Sequence, residues 1–447
     1  MTNEVTAAVE ECARAAWRAQ ASLSGAGSDQ IDSAIEGMAR LLIRETASLL
    51  DANRTDLNAA RQRGMSPGLI DRLSLTEDRL SGMAHQLTLL AQAPHPVRVI
   101  PVATLRNGGE VVEFRRPVGV IGANYEARPT VTVDVASQLV KSRNAGVLRT
   151  GSAALRTAQR LHQLVIAPAL ADVDIDPAVV QLVPRAEQEA ATALVRLPAV
   201  VPLVILRGSG ASTRALATEA AMHGVRTLAH ADGGAVLYID VDADAQRAQA
   251  LIAESLDRLG VCNRLNLLLI HPAIQDALWP ALEATLAGAG IRASLPPHAH
   301  ALGHEWALDP GREATVTVAP ADGPEHAAEI ANEQTSGLAA AIVTENEAAA
   351  QKFFSAYTGA GVFWNASTRL LDGFKLLATP ETGINLDRVP GPRGPVTYTD
   401  LYIRQYGVTP LRTPDGATWD CAPAFAESTQ STGPAERVRD DVRHGGF

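Results

Sequence analysis

Cysteine is scarce: Cys12, Cys262 and Cys421 are the three in 447 residues. They lie far apart, are odd in number and form no Cys-x-x-Cys or Cys/His spacing. That argues against a disulfide framework and against a zinc site. A reduced, cytoplasmic setting is the expectation. No basic tract appears and the net charge is −10, so nucleic acid is not an expected partner. The opening Met-Thr-Asn-Glu-Val has neither the basic nor the apolar region of a leader. No apolar run reaches the length of a membrane span. GxGxxG and Walker motifs are missing, and so are internal repeats.

What is present is a large apolar fraction, 46%, and enough chain for two to three domains. Residues 1–95 carry helical spacing, as in Ile31, Ile35, Met38 and Leu42. Thr76-Glu77-Asp78 reads as a helix cap with acids in the first turn. Residues 98–116 read as a hairpin turning at Asn107-Gly108. From Val118, short apolar runs alternate with helical patterns: Val118–Gly122, Ala145–Arg149, Val179–Val183, Val201–Leu206, Arg226–His230. A second alternation follows from Val236, with Leu265–Ile270 among its strands. This α/β pattern predicts parallel sheets covered by helices. Pro390–Pro395 reads as a rigid linker, Thr397–Arg404 as the last strand, and residues 411–447 as a loosely held tail.

One cysteine stands out. Cys262 precedes the run Leu265–Ile270, with Gly260 free to turn tightly ahead of it. A strand fixes its position and a loop leaves it reachable, which suits a sulfur nucleophile. Two glycine turns between strand and helix suit an anion at a helix start. They are Lys141 to Ser152, containing Ser142, Arg149 and Gly151, and Arg207-Gly208-Ser209-Gly210. Lys141 is placed to reach a ribose or a phosphate. Arg128 and Arg369 follow strands and, by charge and position, are candidates for a substrate carboxylate or phosphate. His223, His230 and His271 read as structural, and Trp364 as packing.

These residues fall into longer motifs: Arg116-Pro-Val-Gly-Val-Ile-Gly122, Tyr125-Glu-Ala-Arg-Pro129 with Val131-Thr-Val-Asp-Val135, Cys262-Asn263, and Asn365-Ala-Ser-Thr-Arg369 with Asp372-Gly373. On them the chain resembles the gamma-glutamyl phosphate reductase (glutamate-5-semialdehyde dehydrogenase) family, a branch of the aldehyde dehydrogenase superfamily, over roughly residues 10–408. The resemblance implies an aldehyde dehydrogenase-like α/β fold with a Rossmann-like cofactor domain (1–97 and 117–236) and a catalytic domain (237–392). It also implies an oligomerisation arm (98–116 and 393–410) and a homo-oligomer. It implies NADPH-dependent reduction of L-glutamyl 5-phosphate through a thioester on Cys262, in proline biosynthesis, with a glutamate kinase-like partner. Cys262 and Asn263 are the catalytic candidates, the Cys262 N–H and a side-chain amide holding the oxyanion. Asn124, Tyr125, Arg128, Arg258, Thr368, Arg369 and Glu381 are expected at the substrate. Lys141, Ser142, Arg149, Gly151, Ser152, Gly208, Ser209 and Gly233 are expected at NADP(H). No metal is expected.

The chain departs from the family pattern around the pocket. Thr130 stands where the family has Asn, and Asp257-Arg258-Leu259-Gly260 precedes the cysteine. A glutamate is missing within Arg264-Leu265-Asn266, and Leu338 replaces a histidine. Leu376-Leu-Ala-Thr-Pro-Glu381 replaces a glycine-rich loop of which Glu381 and Gly383 survive. Altered loops on a kept scaffold point to a shifted acyl group. Two other readings stand beside this one. Hydrolytic aldehyde oxidation would use Glu381 or Asp257 as base. A non-catalytic paralogue would serve as oligomer partner or scaffold.

Overall fold

Apolar stripes at helical spacing fold the start of the chain into helices Thr2–Ser24, Ser28–Arg44, Thr46–Gln62, Pro67–Leu73 and Glu77–Gln92. Thr76 caps the last of these, its hydroxyl accepting from the Arg79 N–H at 3.1 Å. The computed structural model describes residues 2–409 apart from 107, 209, 231–232, 310 and 389–390. Asn107, Ser209, Asp232, Pro390 and the tail 411–447 with Cys421 therefore lie outside the described residues.

The hairpin forms as β1 (Val99–Thr104) and β2 (Glu110–Pro117), paired antiparallel. Next comes a five-stranded parallel sheet of β3 (Val120–Tyr125), β4 (Ala145–Thr150), β5 (Val180–Leu182), β6 (Leu203–Arg207) and β7 (Arg226–His230). Its spatial order is β5-β4-β3-β6-β7. The chain starts in the middle at β3, builds outward to β5, then returns to lay β6 on the other side. The order therefore reverses between β3 and β6, where the strand ends leave a crevice. Helix Thr130–Lys141 packs tightly on this sheet. A Cβ on Gly146 of β4 would lie 2.5 Å from the end of the Leu139 side chain, so a larger residue there would have to displace Leu139.

The second sheet contains β8 (Ala235–Ile239), β9 (Leu265–Ile270), β10 (Arg292–Ser294), β11 (Thr315–Pro320), β12 (Ala339–Val343) and β13 (Gly361–Trp364). All pair in parallel, in the order β10-β11-β9-β8-β12-β13. Alternate residues feed two cores: Ala235, Leu237 and Ile239 on one face, Val236 and Tyr238 on the other. Burial on both faces is why β9 reads Leu-Asn-Leu-Leu-Leu-Ile without a polar side. Each fully buried aliphatic side chain contributes about 1.5–3 kcal/mol.

The expected linker at 390–395 is partly strand. β14 (Gly383–Asn385) pairs antiparallel with β15 (Gly394–Val396). The expected last strand begins later than its apolar pattern suggests. A Thr397 cap starts a short 3-10 turn, Tyr398–Asp400, and β16 (Tyr402–Thr409) follows. β16 pairs antiparallel with β2, completing the sheet β1-β2-β16.

Candidate active site

Cys262 sits in the turn between helix Ala245–Ser255 and β9. Every residue of β9 is buried, so the turn hangs from a fixed strand. The Gly234 N–H donates to the Cys262 carbonyl at 2.7 Å. Arg72 Nε donates to the Gly260 carbonyl at 2.5 Å. A Cβ on Gly233 would lie 2.9 Å from both the Cys262 Cα and its carbonyl oxygen. The lead-in to β8 can pass the nucleophile turn this closely only as glycine.

The half-buried Cys262 borders a cleft of about 440 Å³. The residues that leave β4 and β6, Gly151, Ser152 and Gly208, line it too. The C-terminal edge of the five-stranded sheet thus faces the N-terminal edge of the six-stranded one. The crevice between β3 and β6 opens onto the thiol. A second chamber, about 360 Å³, adjoins the first. Arg72, Arg128 and Arg207 border both.

The charges here act on one another. Burial pushes the Cys262 thiol up. Arg128 and Arg207 pull it down, Glu381 and Glu305 raise it, and the net direction is up. The resting group at neutral pH is the thiol, and Arg128 is the neighbour that most favours its ionisation. Burial, then repulsion from Arg72 and Arg207, brings Arg128 down to about 10, still cationic at neutral pH. The Arg128 guanidinium has no hydrogen bond or ion pair to a described residue. Glu381 is also pushed up, chiefly by burial. Its Oε2 accepts from the Gly373 N–H at 2.6 Å, and its Oε1 lies 3.5 Å from Arg207.

Several expected site residues serve the framework instead. Asn263 is buried, and its amide donates to the carbonyls of Arg369 (3.3 Å) and Leu371 (3.0 Å). With both donors engaged, it has none left for an oxyanion. Arg369 donates to Asn263 Oδ1 and to Asp257 at 2.6 Å, and it lines neither chamber. Thr368 donates to the Asn263 carbonyl at 2.9 Å. Together these residues strap the 365–371 loop to the underside of the nucleophile turn. Asp257, one of the two candidate bases, is held there and lines neither chamber.

Asn124 accepts from Arg149 at 2.9 Å inside the sheet, and Tyr125 is buried with its hydroxyl 2.8 Å from Thr132. Neither lines a chamber. Lys141 and Ser142 precede β4, at the edge of the sheet opposite Gly151. Lys141 is buried on Asp32 at 2.6 Å, and Ser142 donates to its own helix at Gln138 and Leu139. Neither reaches the cleft. Arg149 does line it, while holding Asn124 and the Ala186 and Glu187 carbonyls. Arg258 borders the second chamber, paired with Asp71 at 2.6 Å. Gly151, Ser152, Gly208 and Gly233 line the cleft with Cys262.

Sequence reasoning passed over Arg72, Asp134, Arg207 and Glu305. The first two sit in helices, where a charge reads as solvated surface. Asp134 did carry a signal, as an acid inside the apolar run Val131–Val135. Arg207 stands inside a glycine turn that drew notice for its glycines.

Comparison with known proteins settles kinship. The sequence pattern of the aldehyde dehydrogenase family matches residues 1–298. A gamma-glutamyl phosphate reductase from Moorella thermoacetica is 33% identical over 402 residues, covering 87% of this chain and 95% of that one. The chain belongs to the gamma-glutamyl phosphate reductase branch of the aldehyde dehydrogenase family. Another reductase of that name, from Thermobifida fusca, is 33% identical over 90% of this chain and 97% of its own. The crystal structure of the Thermotoga maritima gamma-glutamyl phosphate reductase superposes with a TM-score of 0.81 at 28% identity, covering 90% of this chain and 98% of that one. As a member of this branch the chain is an aldehyde-dehydrogenase-type oxidoreductase that works with a nicotinamide cofactor.

The cleft fits such a cofactor. A Cβ at Gly151 would meet nothing within 4 Å, which leaves room for backbone to approach a phosphate. Met65, Leu69, Leu308 and Ile384 supply apolar wall for a flat ring. Among the described residues no cluster of three or more His, Cys, Asp or Glu is placed to hold a metal. No described helix is long and apolar enough to cross a membrane.

Proposed function

We propose that the chain reduces L-glutamyl 5-phosphate to L-glutamate 5-semialdehyde with NADPH, the proline-biosynthesis step, through a thioester on Cys262. The observation that carries this reading is the position of the sulfur. It lines the glycine-walled cleft together with the three arginines that this cleft shares with the second chamber. Arg128, flanked by Arg72 and Arg207, would hold the anionic acyl phosphate and favour ionisation of the thiol. The thiolate attacks the acyl carbon, the bond from that carbon to the phosphate oxygen breaks, and phosphate leaves. The Cys262 N–H is the donor at hand for the oxyanion. Gly151, Ser152, Gly208 and Gly233 would hold NADPH, whose chemistry when bound would be to supply a hydride. The C–S bond then breaks, the aldehyde departs and sulfur regains its proton. Covalent capture divides one hard displacement into two easier steps.

The reading extends to assembly. Residues 1–97 with 117–236 would form the cofactor-binding unit and 237–392 the catalytic one. The sheet β1-β2-β16 exposes Val102, Ile403, Tyr406 and Val408, which favours a homo-oligomer built through it. An acyl phosphate is short-lived in water, which favours delivery by a glutamate kinase-like partner. Free Cys12 and Cys262 suit a reducing, cytoplasmic setting.

The test runs the reaction backward, with L-glutamate 5-semialdehyde, inorganic phosphate and NADP⁺ or NAD⁺. The expected result is phosphate-dependent reduction of NADP⁺, abolished in Cys262→Ala. Nicotinamide reduction independent of phosphate would replace the proposal with hydrolytic oxidation. A strong preference for another aldehyde would give the altered 376–381 loop a different acyl group.

A further inference from the structure

The second chamber has walls of both charges. Most of those charges are already engaged. Arg79 holds the Asp71 carboxylate and the Asp71 and Ser74 carbonyls, each at 2.6 Å. Arg258 also holds Asp71. Asp372 caps a short helix, accepting from the Phe374 and Lys375 N–H groups at 3.1 Å. Glu381 accepts from Gly373 and faces Arg207. Among the chamber's arginines and carboxylates, one of each sign has no partner among the described residues: Arg128 and Asp134.

These two are close in the chain. Arg128 precedes the Pro129 cap of helix Thr130–Lys141, and Asp134 lies one turn into that helix. Arg128 borders the Cys262 cleft as well, whereas Asp134 lines the second chamber alone. A carboxylate left without a donor in a half-buried wall is costly unless a ligand supplies one. Burial, with Glu381 and Asp372 adding to it and Arg207 and Arg128 opposing, pushes Asp134 up to about 7. Neither arginine bonds it, so the donor it lacks is one that a ligand would bring. A ligand with an anionic end near the thiol and a cationic group about one helical turn deeper matches both free charges.

We propose that Asp134 binds the α-ammonium of an amino-acid substrate and so sets the enzyme's preference for aminated over deaminated acyl chains. This rests on the reading that the chain turns over a glutamyl-type acyl group. It adds the residue that recognises the amine. Asp372 and Glu381 deepen the negative field without being free to bind directly. Glutarate semialdehyde has the same chain length and terminal carboxylate as the glutamate compound and lacks only the amine.

The test compares kcat/KM for L-glutamate 5-semialdehyde and glutarate semialdehyde, with phosphate and NADP⁺, in wild type, Asp134→Asn and Asp134→Glu. A charged hydrogen bond sets the expected scale at about tenfold or more. Wild type should favour the aminated substrate by at least that factor. In Asp134→Asn the ratio should collapse toward one, with the change in KM rather than kcat. Asp134→Glu should recover part of the preference. A ratio unchanged in Asp134→Asn overturns the proposal, as does a wild type that turns over both aldehydes equally well. A wild type inactive on both overturns the glutamyl reading itself, and the missing basal rate tells that failure apart from lost selectivity.

Discussion

Replacing Arg369 by alanine separates two roles that its place after a strand leaves equivalent. As a substrate ligand it would face an anion. In the structure it lies beneath the nucleophile turn, bonded to Asn263 Oδ1 and to Asp257 at 2.6 Å. Its removal strands the side-chain Oδ1 of Asn263, a residue only 4% exposed. A buried acceptor without a partner costs about 1–3 kcal/mol. The Asp257 carboxylate is 48% exposed, so its lost pairing adds at most about 1 kcal/mol. A loss of roughly 2–3 kcal/mol lowers the Tm by about 5–10 °C for a domain of this size class. The turn carrying Cys262 also loses its floor, and a misplacement of about 1 Å costs roughly a hundredfold in rate. Arg369→Ala should therefore unfold earlier and show kcat down by about ten- to a hundredfold, with KM for the acyl substrate within about threefold of wild type. Thermal unfolding and steady-state kinetics in the reverse direction read all three. An unchanged Tm with KM raised tenfold or more would refute the reasoning and return Arg369 to the substrate.

Three further outcomes follow from the same geometry. Gly233→Ala puts a methyl against the Cys262 backbone and Glu305, so kcat should fall by about a hundredfold in protein whose circular dichroism is unchanged. The thiol is pushed up by burial and restrained by Arg128, so iodoacetamide labelling of Cys262 should rise along an alkaline limb. That limb should move to still higher pH in Arg128→Met, and a shift to lower pH would contradict the assigned sign. Lys141→Met should leave KM for NADP⁺ within about twofold, because Lys141 does not reach the cleft. It should still lower the Tm, because the buried ammonium is lost and Asp32 keeps His95 alone as its partner. A large rise in that KM would restore Lys141 to the cofactor.

The scaffold was legible because parallel strands buried on both faces write themselves as apolar runs. β9 is the clearest case, and the turn before it marked Cys262. The glycine turns were legible for a related reason, since backbone must approach a ligand where β4 and β6 end. Direction was not legible. Lys141 ends the helix that leads into β4 and Gly151 follows that strand, and one edge of the sheet meets the ligand while the other meets the helical layer. Arg128 and Arg369 look alike as loop arginines. They differ in whether the chamber or the underside of a turn receives the guanidinium, which depends on partners as distant as Asp257 and Asn263. Arg72 was hidden because its partner, the Gly260 carbonyl, lies far along the chain.

The groups that meet around the sulfur come from the helix at Arg72, the ends of β3 and β6, the lead-in to β8, the turn before β9 and the loop at Glu381. A ribosome has made nearly all of the described chain before the last of them emerges. Helices and the first sheet can form locally and early, but the reaction centre must wait for long loops to close. On dilution from denaturant, regained turnover should trail regained helix signal, and no fragment ending before Glu381 should be an enzyme.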